Sequence, residues 1–116
     1  MIDKNQIKKD YKLQEQPAGI FAVHNIPENK MFIGTNKNLP AVLRRFEFTL
    51  KMGSFPFQKL IEDYKRLGEK NFEIKVLDEL DIKDETENEI DKELKTLEEM
   101  WVEKLRKEGI TFYNKK

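Results

Sequence analysis

A chain of 116 residues leaves room for one domain with one modest core, since domains typically run to roughly 100–200 residues. Its 22 Lys and Arg are matched by 22 Asp and Glu, so global electrostatics single out no partner, while 38% apolar residues, including eight Phe, three Tyr and one Trp, supply a real interior and argue against wholesale disorder. The lack of cysteine excludes disulfides, thiolate metal sites and cysteine nucleophiles, and a single histidine, His24, excludes a multi-histidine metal site.

Residues 1–16 are polar with scattered Ile2, Ile7, Tyr11 and Leu13, which predicts a short helical extension closed by Pro17. Ala18 to Asn25 is rich in Ile, Phe and Val, and Lys30 to Thr35 repeats that character after Pro27, Glu28 and Asn29, the pattern of a β-hairpin. Beyond Asn36, Lys37 and Asn38, the residues Leu39, Val42, Leu43, Phe46 and Leu50 fall on one helical face, with Asn38 as N-cap, Pro40 in the first turn and Gly53 at the end. A second helix is expected from about Pro56 to Leu67, stopped by Gly68. Residues 71–80 set Phe72, Ile74 and Val76 against Glu73, Lys75 and Leu77, the alternation of a third strand. From Asp84 to Glu108 there is no Gly or Pro, and Ile90, Leu94, Leu97, Trp101 and Leu105 mark a long helix closed by Gly109. Ile110 to Asn114 is apolar enough to return to the body.

The expectation is an α+β domain over residues 1–116, with a core over 17–114. A three-stranded sheet, a hairpin plus a third strand, is flanked by helices in the order α-β-β-α-α-β-α. The longest apolar run, Ala18 to Val23, is far short of the roughly 20 residues that span a bilayer, and the N-terminus is charged rather than signal-like. No membrane partner is expected, and a soluble cytoplasmic protein is.

Zero net charge hides a polarity: residues 1–75 hold 14 Lys and Arg against 9 Asp and Glu, and residues 76–116 hold 8 against 13. Lys37, Arg44, Arg45 and Lys51 gather around the first core helix, which makes it the candidate face for DNA or RNA. The plainer reading of the acidic excess is the solvated face of a long helix.

The hairpin carries Gly19-Ile20-Phe21 and, ten residues later, Phe32-Ile33-Gly34. Lys37-Asn38-Leu39 then opens a helix, Gly68 to Leu77 leads into a strand, Glu98 precedes Trp101 on a later helix, and Tyr113-Asn114 closes the order. Over about residues 17–114 this resembles the GIY-YIG endonuclease superfamily. The resemblance implies metal-dependent hydrolysis of a nucleic-acid phosphodiester: two tyrosines position or deprotonate water, a helix arginine neutralises phosphate charge, and a glutamate binds one divalent ion.

Carried over residue by residue, the tyrosines fall on Phe21 and Phe32, the arginine on Val42, and a frequent histidine on Phe46. None of these side chains can move a proton or pair with phosphate. The family's glutamate falls on Glu98 and its asparagine on Asn114. At about 100° per residue Glu98 borders the apolar stripe of its helix, while Glu99 points away. Arg45, three residues after Val42, is the candidate substitute for the missing arginine, and the competing reading has it facing solvent. His24 reads more simply as a surface or satisfied residue than as a base. The cluster Phe21, Phe32, Phe46, Phe48, Phe55, Phe57 and Phe72 reads as core, although aromatics in a basic cleft also stack on bases.

Three functions compete. The first is a GIY-YIG-like domain that has lost catalysis and keeps a binding role, for nucleic acid ahead of protein. The second is an active, divergent endonuclease using Glu98, with Mg²⁺ or Mn²⁺ held there. The third is a protein-interaction module whose former cleft is filled with Phe. Under the first reading no cofactor is required.

Overall fold

The apolar run that opens the hairpin becomes the central strand of the sheet. The computed structural model describes residues 17–80 and 86–115, so the helical extension expected over 1–16 lies outside the described residues. β1 (Ala18–Asn25) pairs antiparallel with β2 (Lys30–Asn36), setting Phe21 opposite Gly34 and Val23 opposite Phe32. The turn between them uses Asn29 at a φ of 52°, a left-handed geometry that Asn tolerates better than most residues. Asn25 braces it: its side-chain oxygen accepts from the Glu28 N–H at 3.3 Å and its amide donates to the Glu28 carboxylate at 3.0 Å.

α1 (Leu39–Met52) starts where its sequence signals place it, with the Asn38 side chain accepting from the Ala41 N–H at 3.1 Å and Pro40 in the first turn. It ends at Gly53, whose φ of 73° is the left-handed conformation glycine reaches without strain. α2 (Gln58–Leu67) follows, then a 3₁₀ turn (Glu69–Asn71) and β3 (Phe72–Leu80), antiparallel to β1. α3 (Glu87–Lys107) begins at Thr86, whose hydroxyl accepts from the Glu89 N–H at 3.2 Å.

The sheet has four strands rather than the three expected. β4 (Thr111–Phe112) lies parallel to β2, giving the order β3-β1-β2-β4 and a mixed sheet. Backbone bonds from the Thr111 N–H to Asn29 O at 3.0 Å and from the Tyr113 N–H to Met31 O at 2.8 Å hold it there. A strand of two residues is too short to leave an alternating pattern in sequence. From the hairpin to the long helix the elements otherwise follow the expected sequence.

The third strand departs from strict alternation as well. Ile20 faces Asp78 but Phe21 faces Val76, so one extra residue bulges from β3 at Leu77. As a result Leu77 packs with the α3 side of the sheet, while Val76, expected on the inner face with Phe72 and Ile74, is 39% exposed.

Helices cover both faces of β1. Ile20, Ala22, Met31 and Ile33 pack on Ile90, Leu94 and Leu105 of α3. On the other side, Phe21, Val23 and Phe32 meet Leu39, Val42, Leu50, Leu60 and Ile61 of α1 and α2. That double burial explains why β1 reads as a continuous apolar run rather than an alternating one.

One polar network crosses this interior. Asp63 on α2 is fully buried and accepts from Arg66 at 2.9 Å and from the Tyr113 hydroxyl at 2.8 Å, with Lys59 at 3.5 Å and Lys30 at 3.7 Å. The Tyr113 hydroxyl in turn accepts from Asn25 at 3.0 Å, and Arg66 reaches Glu28 at 2.8 Å. Burial opposes the Asp63 charge, but Arg66, Tyr113 and the two lysines outweigh it and hold the carboxyl at about 2, below its ordinary 3.8. Asp63 thereby ties α2 to the hairpin turn and to the segment after α3.

Replacing Asp63 with Asn is expected to cost about 2 kcal/mol in urea unfolding at neutral pH, the scale of hydrogen bonds to a charged group. Because the folded-state value is depressed, the charge contributes fully above 3.8, and that contribution is lost as pH falls toward about 2. The stability gap between wild type and Asp63→Asn should therefore close over that interval. A gap of constant size down to the acid end would show that the charge is not what stabilises.

Candidate functional site

The four positions at which the family resemblance calls for polar catalytic groups come together in space. Phe21 on β1, Phe32 on β2, and Val42 and Phe46 on α1 occupy one cluster, with Leu39 and Leu43 around them. Phe55 and Phe57, from the loop that enters α2, extend it. The rings pack edge to face: Phe21 to Phe46 at 5.0 Å and 81°, Phe46 to Phe55 at 4.6 Å and 88°, Phe32 to Phe55 at 5.2 Å and 82°, and Phe32 to Phe57 at 5.0 Å and 71°. Such pairs favour this geometry and contribute about 0.5–1.5 kcal/mol each beyond burial. Phe21 and Val42 are almost completely buried, at 3% and 2% exposure. No side chain of this group has a hydroxyl, a charge or a transferable proton.

Gly34 makes the arrangement possible. It sits opposite Phe21 in the hairpin, and a Cβ there would lie 2.7 Å from Cζ of the Phe21 ring. The far end of the Phe21 ring occupies the space that a side chain would fill.

Glu98 and Asn114 belong to a different assembly, at the outer edge of β2. The Asn114 side chain imitates a neighbouring strand: its oxygen accepts from the Ile33 N–H at 3.2 Å and its amide donates to Ile33 O at 2.7 Å. Both of its polar groups are thus engaged with backbone. The next residue, Lys115, donates to the Glu98 carboxylate at 2.8 Å, and the Glu98 side chain is only 15% exposed. Glu98 comes from α3, on the opposite face of the sheet from the phenylalanines, and α3 is anchored to β3 by the Trp101 N–H donating to Asp78 at 3.0 Å. Glu98, Glu99, Glu103, Arg106 and Lys115 line an open hollow of about 570 Å³. Among the described residues, no group of three or more His, Asp or Glu is placed to hold a metal ion.

The basic residues around α1 divide into two kinds. Lys37 turns to the first turn of α3, 3.1 Å from Asp91 and 3.9 Å from Glu87, and Lys51 pairs with Glu47 at 3.5 Å. Arg44 and Arg45 are exposed, with no carboxylate within ion-pair distance among the described residues. The Arg45 guanidinium lies 5.7 Å from the centre of the Phe46 ring, at the border of the aromatic cluster.

His24 faces the α3 side of β1. Its Nδ1 is 3.5 Å from the Lys75 ammonium and its Nε2 is buried with no hydrogen-bond partner among the described residues. Burial, with Lys75 adding to it, lowers its pKa below the ordinary value, and Glu73 opposes only in part. That favours a neutral ring.

Two features went unnoticed in the sequence. Asp63 falls between Leu60, Tyr64 and Leu67 on the inner face of α2, a spacing that marks a buried carboxylate. Lys115 as the partner of Glu98 left no signal, because a contact 17 residues apart across a turn has no periodicity. Phe48, grouped in sequence with the core phenylalanines, is instead 63% exposed, because it lies on the outer side of α1.

Two measurements probe this geometry. Gly34→Ala is expected to cost about 1–3 kcal/mol in unfolding free energy, the usual scale of overpacking, and the cost should shrink when Phe21 is first cut back to Ala. The same cost in both backgrounds would mean that the ring is not the obstacle. Asn114→Asp turns a donor into an acceptor facing Ile33 O, so amide exchange at Ile33 and Tyr113 should accelerate roughly tenfold, as expected for one lost hydrogen bond. Unchanged protection would rule out the amide as the clasp.

No protein-family model matches the sequence, and no curated protein matches it. Solved structures do share the fold. The catalytic domain of the homing endonuclease I-TevI superposes with a TM-score of 0.60 at 24% identity, over 77% of this chain and 88% of that one. A variant of the catalytic domain of the intron endonuclease I-TevI superposes with a TM-score of 0.59 at 22% identity, over 78% and 86%. At that identity the likeness establishes the fold alone: this chain shares its architecture with the I-TevI catalytic domain.

Proposed function

We propose that this domain has exchanged phosphodiester hydrolysis for a binding role, with nucleic acid as the ligand and the outer side of α1 as its contact surface. The observation that carries the proposal is the aromatic cluster. Phe21, Phe32, Val42 and Phe46 do not merely lack polar groups; they pack against one another, so there is no cleft between them for a water molecule and a phosphate. Hydrolysis needs a group that accepts a proton from water and a charge that shares the build-up on the phosphoryl oxygens. Removal of a single electrostatic group of this kind typically costs about 10²–10³ in rate.

The residues that remain do not suit a divalent ion. Glu98 offers one carboxylate, already neutralised by the Lys115 ammonium at 2.8 Å, and Asn114 spends both ends of its amide on Ile33. A hard cation needs several oxygen ligands, and these residues supply no second free one. No catalytic step is assigned to Glu98.

Binding is favoured on α1 because Arg44 and Arg45 are exposed and pair with no carboxylate among the described residues, whereas Lys37 and Lys51 are partly satisfied internally. Guanidinium groups pair with phosphate in a forked geometry. Two such contacts give weak affinity that falls with added salt.

The test is to incubate the protein with single-stranded, duplex and branched DNA and RNA in Mg²⁺ and in Mn²⁺, alongside Glu98→Ala. The expected result is no turnover above buffer for either protein, together with micromolar or weaker binding that decreases with salt and with Arg44→Ala or Arg45→Ala. Clear wild-type cleavage abolished by Glu98→Ala would overturn the proposal in favour of an active divergent nuclease.

A further inference from the structure

Phe48 is the exception among the phenylalanines. The other seven of the eight pack into the interior clusters, while Phe48 is 63% exposed and Met52, one turn later, is 65% exposed. At about 100° and 1.5 Å per residue, Phe48 lies some 40° from Arg44 and 60° from Arg45 around α1 and about one turn beyond both along its axis, so the ring and the two exposed guanidiniums share one side of the helix. Glu47 lies about 100° from Phe48 by the same geometry and is paired with Lys51 at 3.5 Å. The outer stripe of α1 is therefore an aromatic ring and a thioether beside two exposed guanidiniums that pair with no carboxylate among the described residues.

We infer that this stripe binds single-stranded nucleic acid, with Phe48 stacking on an unpaired base and Arg44 and Arg45 holding the phosphates on either side. The inference rests on the binding reading above and narrows it. A flat ring contributes little against a duplex, whose bases expose only their edges, but offers a full face to a base that has left its stack. Charge decides against a protein as the occupant. An apolar groove that received Phe48 and Met52 would have to desolvate two guanidiniums, whereas a nucleic-acid strand brings a phosphate for each one together with a base for the ring. The chain's own acidic residues do not shield the stripe among the described residues.

The experiment is fluorescence anisotropy at low salt with labelled oligothymidylate, oligouridylate and a blunt duplex, using the full chain, Phe48→Ala, Phe48→Trp and Arg44→Ala/Arg45→Ala. Phe48 is exposed, so these variants should fold, as circular dichroism can verify. The expected result is tighter binding to single strands than to duplex, a loss of roughly tenfold for single strands in Phe48→Ala with duplex binding unmoved, and retained affinity in Phe48→Trp. The introduced indole should be quenched by the oligonucleotide when the wild type, with only Trp101, is not. Equal binding to duplex and single strand with no effect of Phe48→Ala would overturn the inference and leave the broader binding role standing. Absence of nucleic-acid binding at any salt concentration would overturn both.

Discussion

The exclusion of water from both faces of β1 is the constraint on which the other elements depend. Ala18, Ile20, Phe21, Ala22 and Val23 are at most 3% exposed, and β1 pairs with β2 on one side and β3 on the other, so its backbone and its side chains are both committed. A strand of this kind needs a helical layer above and below it. α3 supplies one through Ile90, Leu94 and Leu105, and α1 with α2 supply the other through Val42, Leu50, Leu60 and Ile61. The first layer carries Glu98, and the second carries Arg44, Arg45 and the aromatic cluster.

On the α1 side, Phe21, Phe32, Val42 and Phe46 fill the space between the hairpin and the helix with close apolar packing. Without charged or hydroxylated groups to solvate, the rings settle edge to face, and Phe55 and Phe57 enter from the neighbouring loop to complete the contact. Every buried polar atom that a catalytic site would have to satisfy is thereby avoided.

The segment after α3 joins the two layers around the edge of the sheet. Thr111 and Phe112 pair with β2, Tyr113 reaches Asp63 on α2, Asn114 clasps Ile33, and Lys115 meets Glu98 on α3. Each contact is modest alone. Together they cover part of the open edge of β2, which would otherwise present unpaired backbone groups, and they place an ammonium on the most enclosed carboxylate of the hollow beside α3.

The sequence by itself determined the hairpin strands near 18–25 and 30–35, the caps of α1 at Asn38 and Gly53, the existence of the long helix α3, and the apolar character of Phe21, Phe32, Val42 and Phe46. Those follow from local periodicity, capping chemistry and residue identity. The bulge at Leu77 and the two-residue β4 were decided only by tertiary structure, because both arise from how one strand meets another and leave no repeat of their own. The same holds for the engagement of Glu98 by Lys115, of Asn114 by Ile33, and of Lys37 by Asp91: a residue's chemistry is local, but its partner is chosen across the fold. Phe48 states the point most sharply. Its sequence neighbourhood resembles that of Phe46, yet two residues advance a helix by about 200°, so Phe46 enters the core and Phe48 stands in solvent.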